Sequence, residues 1–230
     1  MSEVVVPSHL GLILDGNRRW AKERGLPTLE GHRQGAEAFK TVALAAFDRG
    51  VQYVSAYAFS TENWQRTEEE VGYLMRLFVK AVEKHLMTFH KANIRIVVLG
   101  RMSELPDDVR TALEKTEEKT QNNTRGTLAI CVNYGGQEEL VDAVKKIVVS
   151  GTPAADVDRD AIQAALYHPE IPGIDLLVRT SGEYRTSGYM LYRSDYAELY
   201  FTDKMWPDFN EAELDKAFQE YSTRKRRFGA

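Results

Sequence analysis

Cysteine is nearly missing from this sequence. Cys131 is the only one among 230 residues, so no internal disulfide forms, and without Cys-Cys or Cys-His ligand spacing a thiolate zinc site is excluded. A reducing compartment suits such a chain, and the cytoplasm is the expected location. Long apolar runs are missing too: the longest, residues 42–47, falls far short of the roughly 18 residues a spanning helix needs. The opening Met1-Ser2-Glu3 lacks the basic start of a signal peptide. Nor is there a charge excess of one sign. Thirty Lys and Arg against 34 Asp and Glu leave −4, so no global field draws the chain onto nucleic acid, and no such partner is expected. Proline is scarce, with three of its seven residues between 150 and 173. No segment is long or biased enough to be a domain linker, and no repeat is visible, so residues 1–230 are read as one domain.

Several chemical signatures are absent as well: the G-x-x-x-x-G-K-[ST] phosphate loop, G-x-G-x-x-G, the G-x-S-x-G elbow and H-E-x-x-H. Nucleotide motors, dinucleotide enzymes, serine hydrolases and zincins lose support. Asp107-Asp108 is followed by Val-Arg-Thr and builds no D-D-x-x-D metal clamp, and an aspartyl-phosphate hydrolase is disfavoured because Asn17 stands where a second aspartate would follow Asp15.

What is present is an alternation of short β-rich runs and longer helical patterns. Strands are expected at 9–14, 53–59, 94–99, 127–132 and 174–178, with a weaker sixth at 199–201. Their mostly unalternating apolar residues imply burial on both faces, as in a parallel sheet. Apolar stripes at 35–49 and 138–149 read as crossover helices, and a longer helix runs from about 69 to 90 with Val71, Leu74, Phe78, Val82, Leu86 and Phe89 on one side. That side reads as ordinary core or as a ligand-lining wall. The charged stretch 101–125 reads as a solvated connection plus helix, and 150–173 as a loop with a short helix near 158–167. The fold class is α/β, with about six largely parallel strands flanked by helices.

In such sheets ligands gather at the carboxyl ends of the strands. Those ends carry Asp15-Gly16-Asn17-Arg18-Arg19-Trp20, Ser60-Thr61-Glu62-Asn63-Trp64-Gln65-Arg66, Asn133-Tyr134-Gly135-Gly136 and Arg179-Thr180-Ser181-Gly182-Glu183-Tyr184-Arg185. Asp15-Gly16-Asn17 alone is either a turn with a helix cap or a metal-bridged phosphate site. The arginines favour the second, because guanidinium forks pair with phosphate oxygens and surface charge explains the set poorly. His32, after a glycine beyond the first helix, reads as a surface or core histidine, or as a phosphate donor or acid. His85 and His90 are five apart and are no metal pair. Trp64, Tyr189, Tyr192 and Trp206 either shape an apolar cavity or pack. The basic run Arg224-Lys225-Arg226-Arg227 is a solvated helix end or a membrane-phosphate contact. Bottom-up, the reading is a magnesium-assisted site for phosphorylated ligands beside apolar walls.

Together, His9 through Ala21, Gly31-His32-Arg33 with Gly35, Ala58 through Trp64, Asn133 through Gly136, Arg179 through Glu183, Arg185-Thr186-Ser187, Tyr196 through Phe201 and Trp206 through Phe209 resemble, in order, the cis-prenyltransferases of the undecaprenyl diphosphate synthase type. The resemblance spans nearly the whole chain. It implies repeated condensation of isopentenyl diphosphate onto an allylic diphosphate, farnesyl or geranyl, with each new double bond Z and a medium or long product serving as a lipid-carrier precursor. By the same resemblance Asp15 holds Mg2+ and is catalytic, and Gly16, Asn17, Arg18 and Arg19 cradle the allylic diphosphate with His32 and Arg66. Asn63 assists proton removal, an unsuitable task for an amide base. Trp20, Ser60, Thr61, Glu62 and Trp64 line the substrate site, and Arg179, Arg185, Thr186 and Ser187 bind isopentenyl diphosphate. Glu198 reaches the metal site of a partner subunit, which implies a homodimer, and the helix from 69 walls an apolar tunnel. Peripheral membrane contact would ease product release.

Departures are visible. Thr28 stands where many members carry arginine, Tyr184 where some carry a metal-side histidine, and Arg18 where many bacterial members have glycine; Gly126 lies near the tunnel closure and the small Ala58 favours an open tunnel. The alternatives are a short-chain Z,E-farnesyl-type synthase, an unusual head-to-middle coupling enzyme, and a non-catalytic accessory subunit, the last disfavoured by the presence of Asp15.

Overall fold

The computed structural model describes residues 4–224. Among them, six strands form one all-parallel sheet in the order β3-β4-β2-β1-β5-β6. The strands are β1 (His9–Ile13), β2 (Tyr53–Ser60), β3 (Ile94–Leu99), β4 (Gly126–Tyr134), β5 (Leu176–Arg179) and β6 (Glu198–Phe201). Period-2 geometry divides their side chains between two cores. Leu10, Leu12, Val54, Ile96, Val98 and Ile130 enter one, and Ile13, Val97, Leu99, Ala129, Cys131 and Leu177 enter the other. This double burial is why the strands read as continuous apolar runs.

The helices are α1 (Asn17–Glu23), α2 (Thr28–Asp48), α3 (Glu68–Lys91), α4 (Asp107–Thr120), α5 (Gly136–Val149), α6 (Arg159–Ala165) and α7 (Glu211–Thr223). Residues of α2, α3, α4 and α7 pack into the first core. Thr67 caps α3, its hydroxyl accepting the Glu70 amide, and three glutamates occupy the first turn, where they favour the helix dipole. The charged α4 is solvated outside, yet it buries Val109 and Leu113. The basic run begins at Arg224, the C-cap of α7; residues 225–227 lie outside the described residues.

One helix differs from expectation. The start of α2 is Thr28, not residue 35, so His32 lies inside a helix rather than in a connection. Gly31 and Gly35 look like breakers in sequence, but they serve close packing of α1 on α2. A Cβ on Gly31 would sit 2.0 Å from the Asn17 carbonyl oxygen, and one on Gly35 would sit 2.2 Å from Asn17 Oδ1.

The segment between β5 and β6 is held by a fully buried ion pair that sequence reading did not mark. Arg193 donates from Nη1 to Glu139 Oε1 at 2.8 Å and from Nη2 to the Tyr167 carbonyl at 2.6 Å, while Tyr134 donates to Glu139 Oε2. Within the segment Ser181, Gly182, Ser187, Gly188 and Met190 adopt positive φ. Non-glycine residues in that region mark stored strain and are common at functional sites.

Candidate active site

The carboxyl ends of β4, β2, β1 and β5 are adjacent in the sheet, so four of the sequence's chemical segments converge. Asp15 lies at the centre, two residues beyond β1. Its Oδ2 accepts from Arg179 Nη2 at 2.9 Å, Oδ1 accepts the Gly16 amide at 2.8 Å, and the Thr180 hydroxyl donates to its carbonyl at 2.7 Å. The neighbouring Gly16 has φ 103°, and a Cβ there would lie 2.8 Å from Ser181 Oγ. Only glycine lets β1 turn into α1 this close to the β5 loop.

Above Asp15 opens a cleft of about 740 Å3 lined by Gly16, Asn17, Arg18, Arg19, Lys22 and Thr28, among others. Below it lies a cavity of about 590 Å3, mostly apolar, walled by α2, α3 and the sheet. Asp15, Asn17, His32 and Arg66 line both. A cationic cradle thus opens directly into an apolar chamber.

The cradle's arginines are held by carboxylates. Glu70 Oε1 lies 3.1 Å from Arg66 Nη1 and 3.5 Å from Arg18 Nη1. Glu183 pairs with Arg19 at 3.0 Å and with Arg185 at 2.5 Å. Sequence reading missed Glu70, whose run of three glutamates looks like ordinary helix capping, and left Glu183 without a role. Arg179 is 4% exposed and anchored by the Arg185 carbonyl at 2.7 Å and Ser187 Oγ at 2.8 Å.

His32 faces both spaces from α2, and its buried Nε2 has no hydrogen-bond partner. Burial, followed by the nearby Arg66 charge, lowers its pKa to about 4. With no anion beside it the ring is neutral at neutral pH, and in that form it can donate one hydrogen bond to a phosphate oxygen. Asn63 lines the chamber from the turn Thr61–Gln65, and its Oδ1 accepts the Ser60 amide at 3.1 Å. What it turns outward is the Nδ2 donor, which cannot act as a base.

Ser60, Glu62, Arg179, Ser187 and Trp206 also line the chamber. Other residues do not. Trp20 donates to Asp208 at 2.8 Å beneath Arg24, and Trp64 donates to Asn133 at 2.7 Å while packing edge-on against Phe59. Thr61, Arg185 and Thr186 are outside the chamber lining, Tyr189 is buried in the second core, and Tyr192 bonds the Arg159 carbonyl. Glu198 opens β6 in register with Leu176 and Leu10, at the amino end of the sheet. Asp15 is five residues past Leu10, or roughly 16 Å along the strand direction at about 3.3 Å per residue. Within one chain the two carboxylates do not share an ion, and Glu198 pairs instead with Arg224 at 2.9 Å. Among the described residues no group of three His, Cys, Asp or Glu forms a metal site. The donor set at Asp15, one carboxylate beside a phosphate-sized cationic cleft, suits Mg2+, which commonly takes one or two carboxylates and completes its shell with phosphate oxygens.

Comparison with known proteins agrees with this geometry. A prenyltransferase family model described as "Putative undecaprenyl diphosphate synthase" matches residues 13–229. The isoprenyl transferase of Thermotoga maritima is 42% identical over 226 residues, 97% of each chain. That of Neisseria gonorrhoeae is 40% identical over 229 residues, covering 100% of this chain and 92% of its own. Among solved structures, lavandulyl diphosphate synthase from Lavandula x intermedia, in complex with dimethylallyl diphosphate, superposes with a TM-score of 0.94 at 32% identity, covering 99% of this chain and 100% of that one. A probable undecaprenyl diphosphate synthase from Campylobacter jejuni gives 0.83 at 26% identity over 100% of both. With a family model matched over residues 13–229 and relatives 40–42% identical along nearly its whole length, the chain belongs to the undecaprenyl diphosphate synthase family of prenyltransferases, the isoprenyl transferases.

Proposed function

We propose that the protein condenses isopentenyl diphosphate onto an allylic diphosphate, farnesyl or geranyl, and repeats the step to give a Z-polyprenyl diphosphate of medium or long chain, a lipid-carrier precursor. The observation that carries this reading is the junction at Asp15, His32 and Arg66, where a phosphate-binding cleft meets a hydrocarbon-sized chamber. An amphiphile with a diphosphate head fits both halves at once.

Arg18, Arg19, Arg66 and the first-turn amides of α1 bind the allylic diphosphate, displacing Glu70 and Glu183 from the guanidinium groups. The C1–O bond breaks and the diphosphate leaves with the electron pair. Arg179, Arg185 and Ser187 hold the second diphosphate so that the isopentenyl double bond faces C1; its π electrons form the new carbon–carbon bond, and loss of a C2 proton gives the Z double bond. Asn63 orients the reactants through Nδ2, and the proton passes to a diphosphate oxygen. The apolar wall excludes water, which would otherwise capture the allylic cation. Mg2+ held by Asp15 would supply charge neutralisation at the leaving diphosphate.

Glu198 has a role in this reading only across a homodimer. The position of β6 at the edge of the sheet, with exposed Tyr196 and Leu199, supports that assembly. No helix among the described residues is long and apolar enough to cross a membrane, and product release is read as peripheral contact with one. The likeness to lavandulyl diphosphate synthase favours a second reading, a synthase that stops after one or a few condensations. Incubation with Mg2+, labelled isopentenyl diphosphate and farnesyl or geranyl diphosphate, followed by chromatographic sizing, tests both. A ladder ending in long chains supports the first, a single short product the second, and absence of incorporation with any primer removes both.

A further inference from the structure

The turn Thr61–Gln65 carries chemistry on little support. None of its five residues is buried, yet it delivers Asn63 to the chamber and, one residue past its end, Arg66 to both the chamber and the cleft. Its local ties are the Ser60 amide on Asn63 Oδ1 at 3.1 Å and the Arg66 amide on the Asn63 carbonyl at 3.2 Å. A single turn of 3-10 helix has poor hydrogen-bond geometry and needs outside support to keep one position. Among the described residues, Trp64 is the one side chain of the turn hydrogen-bonded to a residue far off in sequence, Asn133, 69 positions on.

Asn133, next to last in β4, is itself firmly held. It is 1% exposed, its Oδ1 accepts the Trp64 indole N–H at 2.7 Å, and its Nδ2 donates to the Arg101 carbonyl and to Glu104 Oε2, both at 3.1 Å. An indole nitrogen only donates and a carbonyl only accepts, so the amide has one orientation. The Arg101 amide donates back to the Asn133 carbonyl at 3.1 Å. Arg101 is fixed in turn by Asp142 of α5, to which Nε and Nη2 donate at 2.8 and 3.0 Å. Gly100 lets this segment press on β4, since a Cβ there would lie 1.9 Å from the Val132 carbonyl oxygen. With φ 47°, Asn133 occupies backbone space that glycine and asparagine tolerate best.

Trp64 is outside the chamber lining, edge-on to Phe59 with ring centroids 5.1 Å apart, so it reaches the site only through the turn. We propose that Asn133 is a positioning residue: by gripping Trp64 it fixes the backbone between Asn63 and Arg66, and with it the place of the Asn63 amide beside the reacting carbons. A misplacement of about 1 Å at such a group can cost about a hundredfold in rate. The proposal rests on the prenyl-transfer reading of the site and gives Asn133 and Trp64 a part in it that involves no contact with substrate.

Two variants cut the same hydrogen bond from opposite ends. Asn133→Gly removes the amide and keeps the backbone conformation, and Trp64→Phe removes the indole donor and keeps a ring against Phe59. Initial rates are measured on the full chain with Mg2+, farnesyl diphosphate and labelled isopentenyl diphosphate. Each variant should lower kcat about tenfold, while KM for isopentenyl diphosphate, bound at Arg179, should change by less than about twofold. The double variant should be no slower than the slower single one, because one interaction is lost only once. Made in an Asn63→Ala background, the same changes should lower kcat by less than about twofold, since the group they position is gone. An equal fold loss in both backgrounds would mark a merely structural contact and overturn the proposal, as would variants that keep the wild-type kcat. Where Asn133→Gly does not fold, Trp64→Phe in the two backgrounds decides by the same criteria. A wild type that incorporates no isopentenyl diphosphate with farnesyl or geranyl diphosphate overturns the prenyl-transfer reading itself.

Discussion

Arg179 is the residue whose loss should be felt both in folding and in catalysis. Its guanidinium makes three contacts: Asp15 Oδ2 at 2.9 Å, the Arg185 carbonyl at 2.7 Å and Ser187 Oγ at 2.8 Å. Two of them hold the β5 loop in its positive-φ course at Ser187. Hydrogen bonds from a charged donor are worth about 1.5–3 kcal/mol each, but much less where water competes. The Asp15 carboxylate is one-third exposed, so its share is discounted to about 1 kcal/mol or less. Arg179→Ala should then cost about 3 kcal/mol in all. At roughly 2–4 °C per kcal/mol for a chain of this size, Tm falls by about 6–12 °C. Arg179→Lys retains the charge without the fork and should recover about half of that. Differential scanning calorimetry measures the folding part. Initial rates at varied isopentenyl diphosphate measure the other part, where KM should rise at least tenfold in the alanine variant, about the worth of one charge-assisted contact. Inorganic diphosphate should raise the Tm of the wild type more than that of the variant, because only a native cradle binds it well. An alanine variant that melts with the wild type and keeps its KM would show that the three contacts neither hold the loop nor bind substrate.

Asp15→Ala should abolish turnover while leaving the melting temperature within a few degrees, and a variant that still elongates chains would remove Asp15 from the chemistry. Gly35→Ala forces a methyl group against Asn17 Oδ1, 2.2 Å from the ideal Cβ position; overpacking of this kind costs about 1–3 kcal/mol, and both urea midpoint and affinity for the allylic substrate should fall. Arg193→Met leaves Glu139 charged and buried without its partner, a loss of about 3–5 kcal/mol, whereas the double change with Glu139→Gln should be milder, as a double-mutant cycle in urea would read. His9 is buried against Ser55, and desolvation lowers its pKa from 6.5 to about 4. The folded state therefore prefers the neutral ring, so this stability is fully present above pH 6.5 and drains away as pH falls toward 4, by up to about 3 kcal/mol. Urea midpoints between pH 7 and 4 should show that loss, and a flat profile would exclude it.

The sheet was legible because burial on both faces makes parallel strands read as unbroken apolar runs, and every expected strand lies within a few residues of an observed one. The chemistry was legible for a related reason: Asp15 and Arg66 come a few residues after apolar strands and Arg179 ends one, so charge stands where the apolar runs stop. Three features escaped. The first two turns of α2 escaped, the helix being expected only from residue 35, since sequence does not distinguish a glycine that turns the chain, as Gly31 could, from one that lets two helices touch. Arg193 and Glu139, 54 positions apart, become a buried pair only through the long-range packing of the β5–β6 segment on α5, and neither has a local signature. Glu70 hides among capping glutamates, although its carboxylate reaches Arg18 and Arg66.

This last omission bears on how the cradle works. A cluster of arginines facing one another without counter-ions would repel and destabilise the fold, so a diphosphate site that must also exist without its ligand needs internal anions. Glu70, from the first turn of α3, and Glu183, from the loop after β5, fill that need. In the proposed reaction, substrate binding would exchange one set of charge-assisted hydrogen bonds for another, and its net gain would be the difference between diphosphate and carboxylate. The cradle's affinity is accordingly held below what its arginines alone would give, a condition that suits a site that must release diphosphate after every condensation.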